Sequence, residues 1–453
     1  MFRQVAGWFR RDSRGWLIFA VALAVRMVWV WFAHRDPQGL SDMAIYEGFA
    51  RSIAQGEGYR GLFGNLTAYY PPGYPYFLGA VVWTAKQASI EHLAVFVGCI
   101  QATLGAISAV AVYRSATSVT SQRGALVAGL IMSVWPNLVI YSSVYLSESL
   151  FIAALSLSMM FTLRQLDQDS PSVRLMLGAG ATFAVALMVR PQVLLIPAAL
   201  IVVWAALKLA KTTTRLPGIL AAMALCSAAL ITPWTLRNYS VFNEFVPLST
   251  NAGDNLCIGF HEGAYGGFSS PPECDSADFY VNGPEAELRR SRATSAVARD
   301  YITSHVDELP ALSVKKLRIT FAHDHDGLRA VESFGSDPFL SATQRDVLSA
   351  MCDLYFFVIA AFALGGIALS ITRIGRRARG RLPSDGLCAM LTVMAYLLSG
   401  LAVPVIVFGE PRFKMGTVPM LAIFAALAID ALADRFFHPE RCSPDAEAMS
   451  TQS

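Results

Sequence analysis

Ten stretches of mostly apolar residues, many close to the ~20 that a helix needs to cross a hydrocarbon core, recur along this chain. They lie at 15–33, 93–113, 124–142, 148–163, 174–189, 191–207, 216–235, 351–372, 386–407 and 415–434. Inside lipid every backbone N–H and C=O must find its partner within the protein, so runs of this kind predict helices. Only 15% of the residues are charged, against roughly 25% in a soluble protein. The expectation is an all-α polytopic membrane protein with about ten transmembrane helices. The first run follows "FRRDSR", lacks a small-residue cleavage site and contains Arg26, which argues for an uncleaved span rather than a signal peptide. The shorter run at 74–85 opens with Pro71, Pro72 and Pro75 and is followed by "KQASIEH". It is read as a helix lying at the interface.

Cytoplasmic loops collect Lys and Arg, so the loops fix the orientation. With the N-terminus inside, "RRDSR", the stretch from Arg114 to Arg123, "RQLDQDSPSVR", "KLAKTTTR", "TRIGRRARGR" and "DRFFHPER" all fall inside. Had 74–85 been a span, "TRIGRRARGR" would face outward. The implied organisation is an N-terminal transmembrane module, 1–235, with a first outer loop at 34–92 carrying interfacial helices. A small, mainly helical extracytoplasmic region, 236–350, precedes the last three helices, 351–434, and a cytoplasmic tail, 435–453, is expected to be disordered. Within 236–350, the segment beginning "ELRRSR" has helical spacing, whereas "STNAGDNLCIGFHEGAYGGFSSPPECDSADFY" reads as loop. Cys257 and Cys274 lie there and are candidates for a disulfide should that region face an oxidising compartment; the sequence leaves open whether they are bonded.

The polar residues that could carry chemistry gather on the outer side. Asp42, Tyr46, Glu47, Tyr69 and Tyr70 belong to the first outer loop; Glu148, Arg190, Arg237, Asn238 and Asn251 sit at outer span ends or just beyond; Glu410, Arg412 and Lys414 occupy the last outer loop. A carboxylate facing several cations suits a negatively charged, lipid-borne substrate. Each has a plainer reading: Asp42 as a helix-end residue after Ser41, the arginines as headgroup anchors, and Arg26 as a hydrogen-bond donor to a neighbouring helix. "HDHD", 323–326, has the residue types of a metal site, but adjacent His and Asp rarely converge, and no metal ligands are assigned. No cofactor is called for with certainty, and a divalent metal is left open. Neither a Walker nor a Rossmann motif is present, and no basic, aromatic-interleaved surface points to nucleic acid.

In order along the chain stand "SDMAIYEGFARSIAQGEGY", "YYPPGYPYFLGAV", "VYLSESLFIAAL", "MVRPQ", "TPWTLRNYSVFNEFVPLSTNAGDNLCIG" and "GEPRFKMGTVPML". This arrangement resembles the GT-C class of membrane glycosyltransferases, in particular the bacterial family-39 type related to protein O-mannosyltransferases and the lipid A aminoarabinose transferase. The resemblance implies a polyprenyl-phosphate-linked sugar donor, a lipid, glycan or protein acceptor at the outer face of the cytoplasmic (inner) membrane, and an acidic active-site residue in the first outer loop. Carried over, that residue is Asp42. The protein-mannosylating branch follows its aspartate with a glutamate; here Met43 follows, which weakens the case for a protein acceptor.

Cleaving a sugar from a lipid phosphate passes through an oxocarbenium-like state and releases a weakly basic group, so it calls for cations rather than a general acid. Arg190, Arg237, Arg412 and Lys414 are the expected phosphate ligands, Asp42 the general base, and Glu47 and Glu148 supporting acids. Tyr46, Tyr69, Tyr70, Asn238, Asn251 and Glu410 are expected along the substrate groove. A single carboxylate without a nucleophile predicts inversion by direct displacement. The competing readings are a transporter or flippase of a lipid-linked glycan, and a glycan polymerase or ligase.

Overall fold

The computed structural model describes residues 12–61, 63–212, 214–274, 279–378 and 386–437. The tail from 438 onward and the end of the "TRIGRRARGR" cluster lie outside the described residues. In chain order the helices are α1 (Ser13–Ala33), α2 (Asp42–Ala54), α3 (Gly73–Gln87), α4 (Leu93–Ala116), α5 (Gln122–Ser133), α6 (Pro136–Ile140), α7 (Glu148–Leu166), α8 (Val173–Val189), α9 (Leu195–Leu209), α10 (Leu216–Phe242), α11 (Ala252–Gly259), α12 (Phe279–Ser304), α13 (Leu309–Thr320), α14 (Asp326–Val331), α15 (Ala342–Ala378), α16 (Leu387–Ile406) and α17 (Val418–Phe437). All ten apolar runs are helical, and among the described residues the only β pairing is an isolated bridge between Arg60 and Leu66. The all-α polytopic expectation is borne out. Among the described residues, seven helical stretches, one of them Pro191–Leu209 containing α9, are long and apolar enough to cross a membrane, and α5 with the helical turn after Pro136 makes an eighth if that bent pair is one broken span.

That break has a local cause. Pro136 has no N–H to continue a helix and disfavours the helical conformation in the residue before it, so α5 stops at Ser133 and the chain turns by 52°. The carbonyls freed at the bend are taken up by Arg26 of α1, fully buried, whose guanidinium donates to Ser133 O at 2.7 Å and Met132 O at 3.1 Å. Gly105 of α4 makes room: a Cβ there would lie 2.3 Å from Arg26 Nε. The intramembrane arginine is thus a structural donor.

The short run became α3, 15 residues, or about 22 Å at 1.5 Å per residue, less than the ~30 Å hydrocarbon core. It packs along α2, and its first residue, Gly73, sits so close to the end of α8 that a Cβ would meet the Met188 carbonyl carbon at 2.6 Å. This contact sets the segment between α1 and α4 against the turn that carries Arg190.

Between α10 and α15 the chain forms α11 to α14. A small core of Phe260, Ala298, Tyr301 and Leu312 lies apart from the main one. One expectation fails here: "AGDNLCIG" is two turns of helix, α11, rather than loop. Its poor intrinsic propensity is overridden by packing on α12, against which Gly253 lies so closely that a Cβ would be 2.3 Å from Ser291 O.

Candidate active site

A cavity of about 600 Å³ lies where the first turns of α2 and α7 meet α11, the end of α16 and the turn before α17. Asp42, Glu148, Arg190, Asp254, Arg290 and Arg412 supply its charged wall, and Tyr46, Tyr69, Tyr70 and Asn251 also face it. Leu194, Leu195, Val403, Ile406, Phe408 and Phe413 form an apolar flank. Leu194 and Ile406 are 55% and 45% exposed on the outside of the helical body, so the flank runs out to the surface that lipid would cover.

Asp42 is placed by helix capping. Ser41 adopts the extended N-cap conformation and accepts from Ala44 N, which makes Asp42 the first residue of α2, where the helix dipole favours a carboxylate. Its Oδ1 accepts from the Tyr70 hydroxyl at 2.9 Å and its Oδ2 from Arg412 Nη1 at 2.7 Å. Burial pushes this carboxyl up, but the Arg412 charge, the two hydrogen bonds and the more distant Arg190 outweigh it and hold Asp42 below the ordinary carboxylate range. Arg412 rides on the 3₁₀ turn Pro411–Gly416, and its own pKa is raised well above the usual value: burial opposes the charge, and Asp42 and Glu148 more than compensate.

Across the cavity Glu148 opens α7, its side chain 1% exposed, and pairs with Arg190 Nη2 at 2.5 Å. Arg190 Nε and Nη2 also donate to Ser147 Oγ at 3.1 Å. One atom on each side of this pair is left over: Arg190 Nη1 and Glu148 Oε2 are buried without a hydrogen-bond partner. Buried polar atoms in native structures are nearly always satisfied. A donor and an acceptor left over on two cavity-lining residues therefore mark where a polar ligand group fits.

The third wall was not legible in the sequence. Asp254 of α11 accepts from Tyr69 Oη at 2.7 Å and pairs with Arg290 Nε of α12 at 3.0 Å. Arg290 also donates to Cys274 O at 3.2 Å. Cys274 is joined to Cys257 by a disulfide, with Cα atoms 5.7 Å apart across 17 residues. Asp254 stands inside the quoted "NAGDNLCIG" and Arg290 inside "ELRRSR"; the first reads as loop, and the second only as part of a segment with helical spacing. Their pairing across 36 residues carries no local signal.

Several expected site residues lie elsewhere. Lys414 is corrected: its side chain is fully buried, 3.0 Å from Asp324 Oδ1 and donating to the His323 and Pro411 carbonyls, with no face toward the cavity. Arg237 is corrected likewise, since it donates to Thr67 O and Tyr59 O and stacks 4.8 Å from the Trp234 ring. Asn238, fully buried, donates to Val246 O. Glu47 pairs with Arg51 one turn along α2 and does not line the cavity. Glu410 also lies off the lining; burial pushes its carboxyl up. Of the four expected phosphate ligands, Arg190 and Arg412 face the cavity.

Residues 71–234 match the family model described as dolichyl-phosphate-mannose-protein mannosyltransferase. No curated protein sequence matches the chain. Among solved structures, the oligosaccharyltransferase of Archaeoglobus fulgidus in its apo form aligns with a TM-score of 0.55 at 14% identity, over 96% of this chain and 52% of that one. The same archaeal protein, AglB, in complex with an inhibitory peptide and a dolichol-phosphate aligns with a TM-score of 0.53 at 14% identity, over 96% and 52%. ArnT from Cupriavidus metallidurans bound to undecaprenyl phosphate gives a TM-score of 0.40 at 13% identity, over 94% and 79%, and the fold assignment does not rest on it. The chain spans about half the length of the oligosaccharyltransferase whose fold it shares. The chain thus carries a stretch similar to the protein mannosyltransferase family and, along nearly its whole length, the fold of the archaeal oligosaccharyltransferase.

Proposed function

We propose that this chain transfers a sugar from a polyprenyl-phosphate donor to an acceptor hydroxyl at the outer face of the cytoplasmic membrane. The observation that carries the reading is the cavity's division of labour. A buried arginine with a spare N–H stands on one side, an ion-paired carboxylate on the other, and an apolar flank leads out to the lipid-facing surface. The donor's phosphate sits against Arg190 Nη1, with its hydrocarbon tail along Leu194, Val403 and Ile406. Guanidinium groups take up phosphate charge through short, charge-assisted hydrogen bonds, and that charge grows as the anomeric carbon–oxygen bond breaks. Arg190 therefore stabilises the transition state more than the ground state.

Asp42 accepts the acceptor's proton. With both oxygens engaged it is a weak base at rest, which suits a reaction in which the hydroxyl becomes acidic only as it bonds to the oxocarbenium carbon. Arg412 links the two events: drawn toward an incoming phosphate, it loosens its hold on Asp42 and raises that carboxylate's basicity. With Asp42 as the base, and with Glu148 and Asp254 each ion-paired to an arginine of the wall, direct displacement with inversion is expected. The convergence of Asp42, Arg190 and Arg412 on a single cavity with a lipid-side flank favours transfer over transport.

The test is transfer by the purified protein from a defined polyprenyl-phosphate sugar. Asp42→Asn and Arg190→Gln are expected to lose at least a hundredfold in kcat, the scale of removing one charge-stabilising group, while remaining folded. Near-normal transfer by Asp42→Asn would overturn the assignment of the base. Comparing surface glycoconjugates of cells with and without the gene by mass spectrometry identifies the acceptor.

A further inference from the structure

The four residues "HDHD" separate onto two faces. Asp324 and Asp326 turn inward, where Asp324 accepts from Trp135 Nε1 at 2.8 Å and Asp326 from Asn137 Nδ2 at 2.9 Å, and both lie near the Lys414 ammonium. His323 and His325 turn the other way with their rings stacked, centroids 4.2 Å apart. They face Asp353, which arrives from the fourth turn of the long helix α15. One ligand atom from each of His323, His325 and Asp353 lies within 4.8 Å of the other two. We propose that these three residues form a binding site for a zinc-class divalent transition-metal ion, separate from the sugar-transfer cavity and clamping the α13–α14 connection onto α15.

Three observations carry this. The donor set, two imidazoles and one carboxylate, suits zinc and its neighbours and leaves a fourth tetrahedral position for water. His323 Nδ1 is buried and has no hydrogen-bond partner; a buried polar atom of this kind is nearly always satisfied in a native protein and calls for a partner. The carboxylate is already oriented, because Asp353 Oδ1 accepts from Asp324 N at 2.7 Å, a supporting contact of the kind that fixes ligands around metals. His325 and Asp353 retain 30% and 26% of their side-chain exposure, which gives an ion a way in. Zinc bonds of about 2.0–2.1 Å place tetrahedral ligand atoms roughly 3.3 Å apart, so side-chain rotations of about an ångström close the cluster around the ion. The plainer alternative is the hydrogen bond that His325 Nδ1 already makes with Asp353 at 2.9 Å. That bond leaves His323 Nδ1 unused.

The position gives the clip a purpose. Lys414 donates to the carbonyl of His323 itself and pairs with Asp324, and two residues before it Arg412 holds Asp42. A metal that fixes this connection fixes the turn on which Arg412 rides.

The experiment measures metal in the purified full-length protein, after stripping with chelator and reloading with zinc, magnesium or no metal. The expected result is one zinc per chain, no retained magnesium, and a melting temperature several degrees higher with zinc. His323→Ala with His325→Ala abolishes both the stoichiometric zinc and the zinc-dependent rise, whereas Asp42→Asn keeps both. Should the double variant fail to fold, Asp353→Asn, which keeps a hydrogen-bonding side chain of the same size, is expected to lower zinc affinity at least tenfold. Zinc well below one equivalent in the reloaded protein, or an equal thermal shift in the variants, would overturn the site and leave a His–Asp hydrogen bond in its place.

Discussion

At the scale of single residues, the pairing of Asp42 with Arg412 decides how activity depends on acidity. Because the folded carboxyl lies below its unfolded value, its contribution to stability is complete above the ordinary range near 4 and is lost as pH falls through the depressed folded value. Asp42 is therefore ionised throughout neutral and mildly acidic conditions. The expected pH profile of kcat/KM is flat from about pH 8 to about pH 5, and an acid limb near pH 6 would assign the base to some other group. Lys414 and Arg412 lie two residues apart and make contrasting predictions. Lys414→Met leaves Asp324 buried without its counter-ion, a loss of about 3–5 kcal/mol, visible as a large fall in the melting temperature. Arg412→Gln touches a pair whose side chains keep 29% and 26% of their exposure, and it is expected to lower transfer far more than stability. Sequence reasoning singled out Asp42 from its neighbour Glu47 through the family resemblance, and missed the burial of Lys414. A lysine beside an apolar run looks the same whether it anchors at a headgroup or fills a buried ion pair.

At the scale of elements, the apolar runs were legible because the period and length of a membrane helix leave few alternatives. What they could not reveal was the interruption between α5 and α6. A proline in an apolar run marks a weakness, but the compensating donor sits on another helix, 107 residues from Ser133. Arg26→Leu is expected to cost on the order of 3 kcal/mol, since it leaves the Met132 and Ser133 carbonyls buried without partners. Arg26→Lys should recover part of that loss. Thermal melts of the detergent-solubilised protein check both, and a leucine variant as stable as the wild type would mean that the bend is satisfied by other means. The helical content of α11 escaped sequence reading for the opposite reason: its glycines and asparagine argue against a helix in isolation, and the surface of α12 overrules them. Asp254 therefore reached the cavity wall unannounced.

At the scale of the whole molecule, the cavity joins parts of the chain hundreds of residues apart; its first-loop, last-loop and span-end contributions could be read from order along the sequence, whereas Asp254 and Arg290 could not. A ligand that binds the folded state alone stabilises it by about 2.7 kcal/mol at a hundred times its dissociation constant. Polyprenyl phosphate without a sugar is accordingly expected to raise the wild-type melting temperature and to leave Arg190→Gln unmoved, whereas inorganic phosphate, which lacks the tail for the apolar flank, should have little effect on either. The disulfide between Cys257 and Cys274 adds a condition that belongs to biosynthesis rather than chemistry. It closes the segment whose Cys274 carbonyl receives Arg290, so the third wall of the cavity is finished only after two thiols have been oxidised. Membrane insertion and completion of the site thus become separate events in the life of the polypeptide, the second governed by the oxidoreductases of the compartment into which that segment emerges.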